Sequence, residues 1–178
     1  MTPAYLGLGS NVGARRDHLQ AAVDGLDRTD EVQVDAASPV YETEAHTLAP
    51  DEEQRPFLNA VLAVSVDCSP TRLLRIAQTL ERREGRRRQE TRRWAPRPLD
   101  VDLLAVGQVT CKTDTLTLPH PRLAERRFVL RPWGDLAPNF VVPPPFDAAV
   151  CRLLAQCPDT AALRRTDQTL AVGAAPDG

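Results

Sequence analysis

The stretch PFLNAVLAVSV, residues 56–66, does most to limit what this chain can fold into. A Val- and Leu-rich run of this length reads as the central strand of a sheet rather than an exposed edge. The next residues, CSPTRLLRIAQTLERREG, carry the marks of a helix. Ser69 is placed as N-cap, Pro70 at the first helical position and Gly85 as the stop. Leu73, Leu74, Ala77 and Leu80 form its buried stripe.

Other segments fit around this pair. AYLGLG (4–9) predicts a first strand, and Leu19, Ala22, Val23 and Leu26 recur with the spacing of one helical face. SPVYETE (38–44), PLDVDLLAVG (98–107) and LTLPHPRL (116–123) predict further strands, the last broken by prolines. RRFVLRPWGDLAP reads as a helix–strand remnant and CRLLAQC as a short late helix. Several connections are too short to hold a crossover helix. That favours an α+β fold with a largely antiparallel sheet over a doubly wound parallel one. A chain of 178 residues with 42% hydrophobic content supports one sizeable core. We expect a single domain over 1–158 and a C-terminal extension, 159–178, that is loosely held.

Charge narrows the function. The net charge is -2, so no global positive field draws the molecule to nucleic acid or a membrane. Yet eight arginines crowd into RREGRRRQETRRWAPR, residues 82–97, and the strand that follows carries Asp100 and Asp102 at i and i+2. A strand points both carboxylates to one face. Paired carboxylates suit Mg2+, whereas the plainer reading is an edge strand with one solvated face. Arginine grips phosphate oxygens in pairs, though a solvated charge face or a nucleic-acid patch would look similar. With only 4% aromatic residues, stacking platforms for single strands are sparse. Taken together, the two features form a clamp on a polyphosphate, cation on one side and arginines on the other.

Other signals are weaker. GLGSNVG is one residue too long for the dinucleotide fingerprint, and no G-x-x-x-x-G-K-[ST] loop occurs. Its glycines allow a tight turn or a close backbone approach. Phe57 and Asn59 face one side of their strand and could stack on and hydrogen-bond a flat heterocycle. His120 sits in a proline-flanked loop, where a histidine without function is the commoner case. Cys68, Cys111, Cys151 and Cys157 lack CxxC or zinc spacing and read as small buried or half-buried thiols. No signal peptide or long apolar run is present, so the expected location is the cytoplasm.

The motifs YLGLGSNVG, FLNAV, RWAPRPLDVDLL and LTLPHPRLAERRFVLRP stand in the order and spacing of the 6-hydroxymethyl-7,8-dihydropterin pyrophosphokinase family, which the chain resembles over Ala4–Pro138. The resemblance implies a ferredoxin-like sandwich, its antiparallel sheet covered by helices on both faces. It also implies transfer of pyrophosphate from ATP to the pterin hydroxymethyl group, releasing AMP, in folate biosynthesis. Asp100 and Asp102 match the pair that holds two Mg2+ ions. Arg86, Arg93 and Arg97 match catalytic positions, with Arg87 and Arg92 as neighbours that could shift the register. Gln78, Glu81, Arg88, Trp94, Thr117, His120 and Arg126 match ATP contacts. Thr43, Phe57, Asn59, Trp94 and Phe128 match the pterin pocket. Gln78 and Glu81 are i, i+3 neighbours expected on the helix face away from the leucine stripe. The expected partners are small molecules only, ATP and the dihydropterin, with no nucleic acid or membrane and a monomeric chain. A non-catalytic nucleotide- or RNA-binding module and a nucleotide hydrolase are the alternatives.

Overall fold

A computed structural model describes residues 1–44, 55–85 and 97–173. The run 57–66 is strand β4 (Phe57–Val66), and it sits in the middle of the sheet. Strand β1 (Thr2–Ser10) pairs antiparallel along its whole length on one side. The other side is shared by two short strands, β2 (Val32–Ala37) and β3 (Tyr41–Thr43). Ser38 fills the gap between them. Its N–H donates to Val61 O, and its Oγ accepts from Val61 N–H, both at 2.9 Å. No ladder group of Val61 is left dry.

Strand β5 (Asp100–Val106) closes the far edge against β1, and β10 (Leu163–Arg165) extends the near edge beyond β3. Among the described residues this sheet has six strands, every pairing antiparallel. Helices α1 (Arg15–Asp27) and α2 (Pro70–Arg83) cover one face. There Leu6, Leu8, Leu58, Leu62 and Val64 meet Leu19, Leu26, Leu73 and Leu80. Ser69 caps α2 as expected, its Oγ accepting from Arg72 N–H at 3.2 Å.

The opposite face holds α3 (Arg127–Leu136) and α4 (Val150–Gln156). Val61 and Leu104 of the sheet pack there with Val129, Leu130 and Trp133. The fully buried Trp133 ring lies 5.1 Å from Tyr5 and 5.8 Å from Phe140, two partly buried rings packed against it. A proline, Pro132, lies inside α3. The helix persists because burial of Val129, Leu130 and Trp133 on either side outweighs one lost backbone bond. The expected helix–strand remnant is therefore one helix.

Three further differences have local causes. The strand β2 was not anticipated: Val32 and Val34 are buried in alternation with Gln33 and Asp35, but the run is too short to stand out. The segment expected as a strand over 116–123 narrows to β7 (Thr117–Leu118), paired with β6 (Cys111–Lys112), and then turns through a short 3-10 helix at Leu123–Glu125. Residues 159–173 are tied down rather than loose. Strand β10 lies in the main sheet, Leu170 is buried, and Ala171 N–H donates to Gln20 Oε1 at 2.8 Å. A minor hairpin, β8 (Val141–Val142) with β9 (Ala148–Ala149), leads into α4. All four cysteines are free, three half-buried and Cys151 exposed. No helix among the described residues is long and apolar enough to cross a membrane.

Candidate active site

The site starts from the register of three strands. In β1, Gly9 stands opposite Asn59 on one side and Asp100 on the other, and Gly7 stands opposite Val61 and Asp102. The two-residue period of a strand then places Phe57, Asn59, Gly7, Gly9, Asp100 and Asp102 on one face. The glycines belong to a strand, not a turn, and what they supply is a flat floor. A Cβ on Gly9 would lie 3.5 Å from Asn59 Oδ1 and 3.9 Å from Asp100 Cβ.

Above this floor opens a cavity of about 240 Å3. Thr43, Phe57, Asn59 and Phe128 line one half, and Arg97, Asp100, Asp102 and Arg126 the other. Asn59 is nearly inaccessible, and its Nδ2 donates to Thr43 Oγ1 at 2.9 Å. That bond orients the amide, leaving Oδ1 toward Gly9. Two aromatic rings and an oriented amide suit a flat, polar-edged heterocycle.

The charged half consists of matched pairs. Arg97 Nη1 lies 3.1 Å from Asp100 Oδ2, and Arg126 Nη1 lies 2.9 Å from Asp102 Oδ2. Burial, and then the charge of Asp100, push the Asp102 carboxyl above its usual range, while His120 and Arg126 draw it back. Burial pushes the His120 ring down, with Asp102 opposing. The Arg122 backbone N–H donates to His120 Nδ1 at 3.2 Å, which leaves Nε2 for other contacts. Two carboxylates that repel each other on one wall are a hard-oxygen donor set, and Mg2+ fits it chemically. Among the described residues no group of three or more His, Cys, Asp or Glu could hold a metal by itself, so other oxygens must complete any shell.

Two buried side chains position this half. Asn11 accepts the Arg97 N–H on Oδ1 at 2.7 Å, and its own N–H donates to Arg97 O at 3.1 Å. Glu81 is 3% exposed, and its Oε1 accepts the Val101 N–H at 2.9 Å, between the two aspartates. The face expected to lead away from the leucine stripe instead turns inward here, because the outer edge of β5 needs an acceptor.

Of the residues expected at a site, Thr43, Phe57, Asn59, Arg97, Asp100, Asp102, Arg126 and Phe128 meet in this cavity. Gln78, Glu81, Thr117 and His120 are not part of its lining. Arg86, Arg88, Arg93 and Trp94, with Arg87 and Arg92, fall outside the described residues. Sequence reasoning missed Arg122, Asp159, Ala161 and Leu163, which also line the cavity. Pro158-Asp159 signals a turn, but nothing local reveals where the turn docks.

An antiparallel α+β sandwich thus carries, on one floor, a carboxylate pair with arginine partners beside an aromatic slot, the set of groups suited to an enzyme that holds an anion next to a flat ring. The family model for 7,8-dihydro-6-hydroxymethylpterin-pyrophosphokinase (HPPK) matches residues 5–138, and the chain belongs to that family. It is similar to the 2-amino-4-hydroxy-6-hydroxymethyldihydropteridine pyrophosphokinases of several bacteria. That of Methylorubrum extorquens is 40% identical over 142 residues, spanning 80% of this chain and 87% of the relative. The Pseudomonas aeruginosa relative is 38% identical, spanning 86% and 91%. The Mycobacterium tuberculosis relative is 44% identical, spanning 78% and 74%. Among solved structures, Plasmodium falciparum HPPK-DHPS with SDX-DHP overlaps with a TM-score of 0.64 over 88% of this chain and 43% of that longer one. At 12% identity that likeness shows the fold alone.

Proposed function

We infer that this chain transfers a pyrophosphoryl group from ATP to the hydroxymethyl group of 6-hydroxymethyl-7,8-dihydropterin, a step of folate biosynthesis. The observation that carries the reading is Gly9: the flat residue that separates the aromatic slot from the carboxylate pair by one strand. A hydroxymethyl group on a ring held by Phe57 and Phe128 faces the phosphate side across that floor. Its oxygen bonds to the β-phosphorus, the bridge to the α-phosphate breaks, and AMP leaves while the hydroxyl proton is released to solvent.

Asn59, oriented by Thr43, reads the polar edge of the ring and sets its direction. Arg97 and Arg126 offer planar forks to phosphate oxygens and stabilise charge growing on them. The Asn11 clamp keeps Arg97 at its station. Asp100 and Asp102 would hold Mg2+, two ions in this reading, which when bound neutralises the triphosphate and holds it in line. Most of the rate enhancement is positioning and electrostatics, because no strong general base stands at the described part of the site. We take the enzyme to act on small molecules, as a monomer in the cytoplasm.

The test is AMP formation from ATP and Mg2+ with and without the dihydropterin, following the pterin by mass. Pterin-dependent AMP with a diphosphorylated pterin supports the reading. AMP released equally without pterin would mean a nucleotide hydrolase, and no AMP from folded protein would end the assignment.

A further inference from the structure

One wall of the cavity comes from chain beyond the family match, which stops at residue 138. Asp159, Ala161 and Leu163 line it. Strand β10 hangs this wall on β3, with Leu163 opposite Thr43 and Arg164 opposite Glu42. The Arg164 and Glu42 side chains pair at 2.6 Å, and Thr166 N–H donates to Val40 O at 2.9 Å. The strand that presents Thr43 is therefore backed by the C-terminal segment.

Asp159 ties the other end of this wall. Its Oδ1 accepts the Ala161 N–H at 2.9 Å, closing a local turn, and its Oδ2 accepts the Arg127 N–H at 3.1 Å. Arg127 is the first residue of α3, and the side chain of the N-cap residue Arg126 does not cap the helix. That side chain goes to Asp102 instead. First-turn N–H groups have no partner within their own helix, and a carboxylate there also meets the positive end of the dipole. Asp159 supplies from a distance the cap that Arg126 withholds. Phe128, next in sequence, lines the cavity beside it.

We propose that Asp159 is a positioning residue for the heterocyclic substrate: it pins the start of α3, and with it Phe128, to the 159–163 wall. The slot between Phe57 and Phe128 then keeps one width. This rests on the pterin reading above. Asp159 acts through the backbone of α3 and needs no contact with reacting atoms.

The experiment compares wild type, Asp159→Ala and Asp159→Asn. Amide hydrogen exchange over 127–131 and 159–163 is measured without ligand, dihydropterin affinity by fluorescence titration, and kcat and KM by AMP release. Loss of both bonds in Asp159→Ala should speed exchange at 127–131 about tenfold and raise the pterin Kd and KM about tenfold. The turnover rate at saturation should stay within about twofold. Asp159→Asn keeps a single acceptor oxygen and should fall between; should the alanine variant fail to fold, a threefold rise in pterin Kd in Asp159→Asn carries the test. An unchanged pterin Kd in a folded variant overturns the proposal while the wild type still binds pterin. So does a fall in activity that follows the unfolded fraction at constant KM, which is a purely structural effect. Wild type that binds no pterin removes the functional reading, and this proposal with it.

Discussion

Arg126 and Asp102 are joined across the cavity floor, Nη1 to Oδ2 at 2.9 Å, although 24 residues separate them in sequence. The same guanidinium carbon stands 5.8 Å from the centre of the Phe128 ring. One side chain thus touches both halves of the site. Arg126→Ala removes a partner that holds the Asp102 carboxyl down, as well as the fork proposed above to hold phosphate. We expect kcat to fall by about 10²- to 10³-fold, the scale of losing one preorganised donor, and lysine to restore only part of it. Steady-state kinetics across a Mg2+ titration check this; wild-type turnover in the alanine variant would exclude the role.

Asp100→Asn and Asp102→Asn keep the volume of each side chain and remove its charge. If the pair holds Mg2+, activity should drop by about 10²- to 10⁴-fold, corresponding to the several kcal/mol of charge stabilisation a metal supplies. Mg2+ affinity measured by calorimetry in the presence of a non-hydrolysable ATP analogue should fall as well. Unchanged affinity in both variants would mean that the carboxylates serve only their arginines.

Glu81 tests the strand beneath the aspartates. Glu81→Ala strands the Val101 N–H without an acceptor, at a cost of about 1–3 kcal/mol. For a domain of this size that lowers Tm by roughly 3–10 °C. Glu81→Gln retains an acceptor oxygen and should lose less. Thermal unfolding followed by circular dichroism distinguishes the two, and equal losses would argue against the hydrogen bond as the cause.

Glu42 gives the C-terminal strand a pH signature. The hydrogen bond from Arg164, helped by Arg15 and opposed by burial, lowers its carboxyl below the ordinary value of 4.5. A carboxylate whose folded value is depressed contributes stability fully present well above its unfolded value, lost as pH falls through the folded one. Glu42→Gln should therefore destabilise the protein at pH 7 by about 1 kcal/mol or less, since Arg164 is largely exposed. The gap between variant and wild type should close in acid below pH 4.5. A gap that stays constant with pH would mean that packing, not charge, is lost.

Much of the framework was legible because its signals are local. The apolar run 56–66 demanded burial on both faces and became the middle strand. Ser69 and Pro70 started α2 where their capping chemistry places it. The two-residue period of a strand is enough to put Asp100 with Asp102, and Phe57 with Asn59, on shared faces. Other features were hidden because their cause lies elsewhere in the chain. Pro132 argues locally against the helix that Trp133 and its neighbours stabilise by burial. Glu81 looked like an outward-facing charge, and only the bare edge of β5 turns it inward.

The sequence by itself determined the elements and which side chains each presents together, since capping, propensity and periodicity act over a few residues. Only the tertiary structure decided that β1 lies between β4 and β5, making Gly9 the common neighbour of Asn59 and Asp100. It alone paired Arg97 with Asp100, Arg126 with Asp102, and Asp159 with the first turn of α3. Strand order and ion-pair partners follow from burying two sheet faces at once, a condition on the whole chain that no short stretch contains.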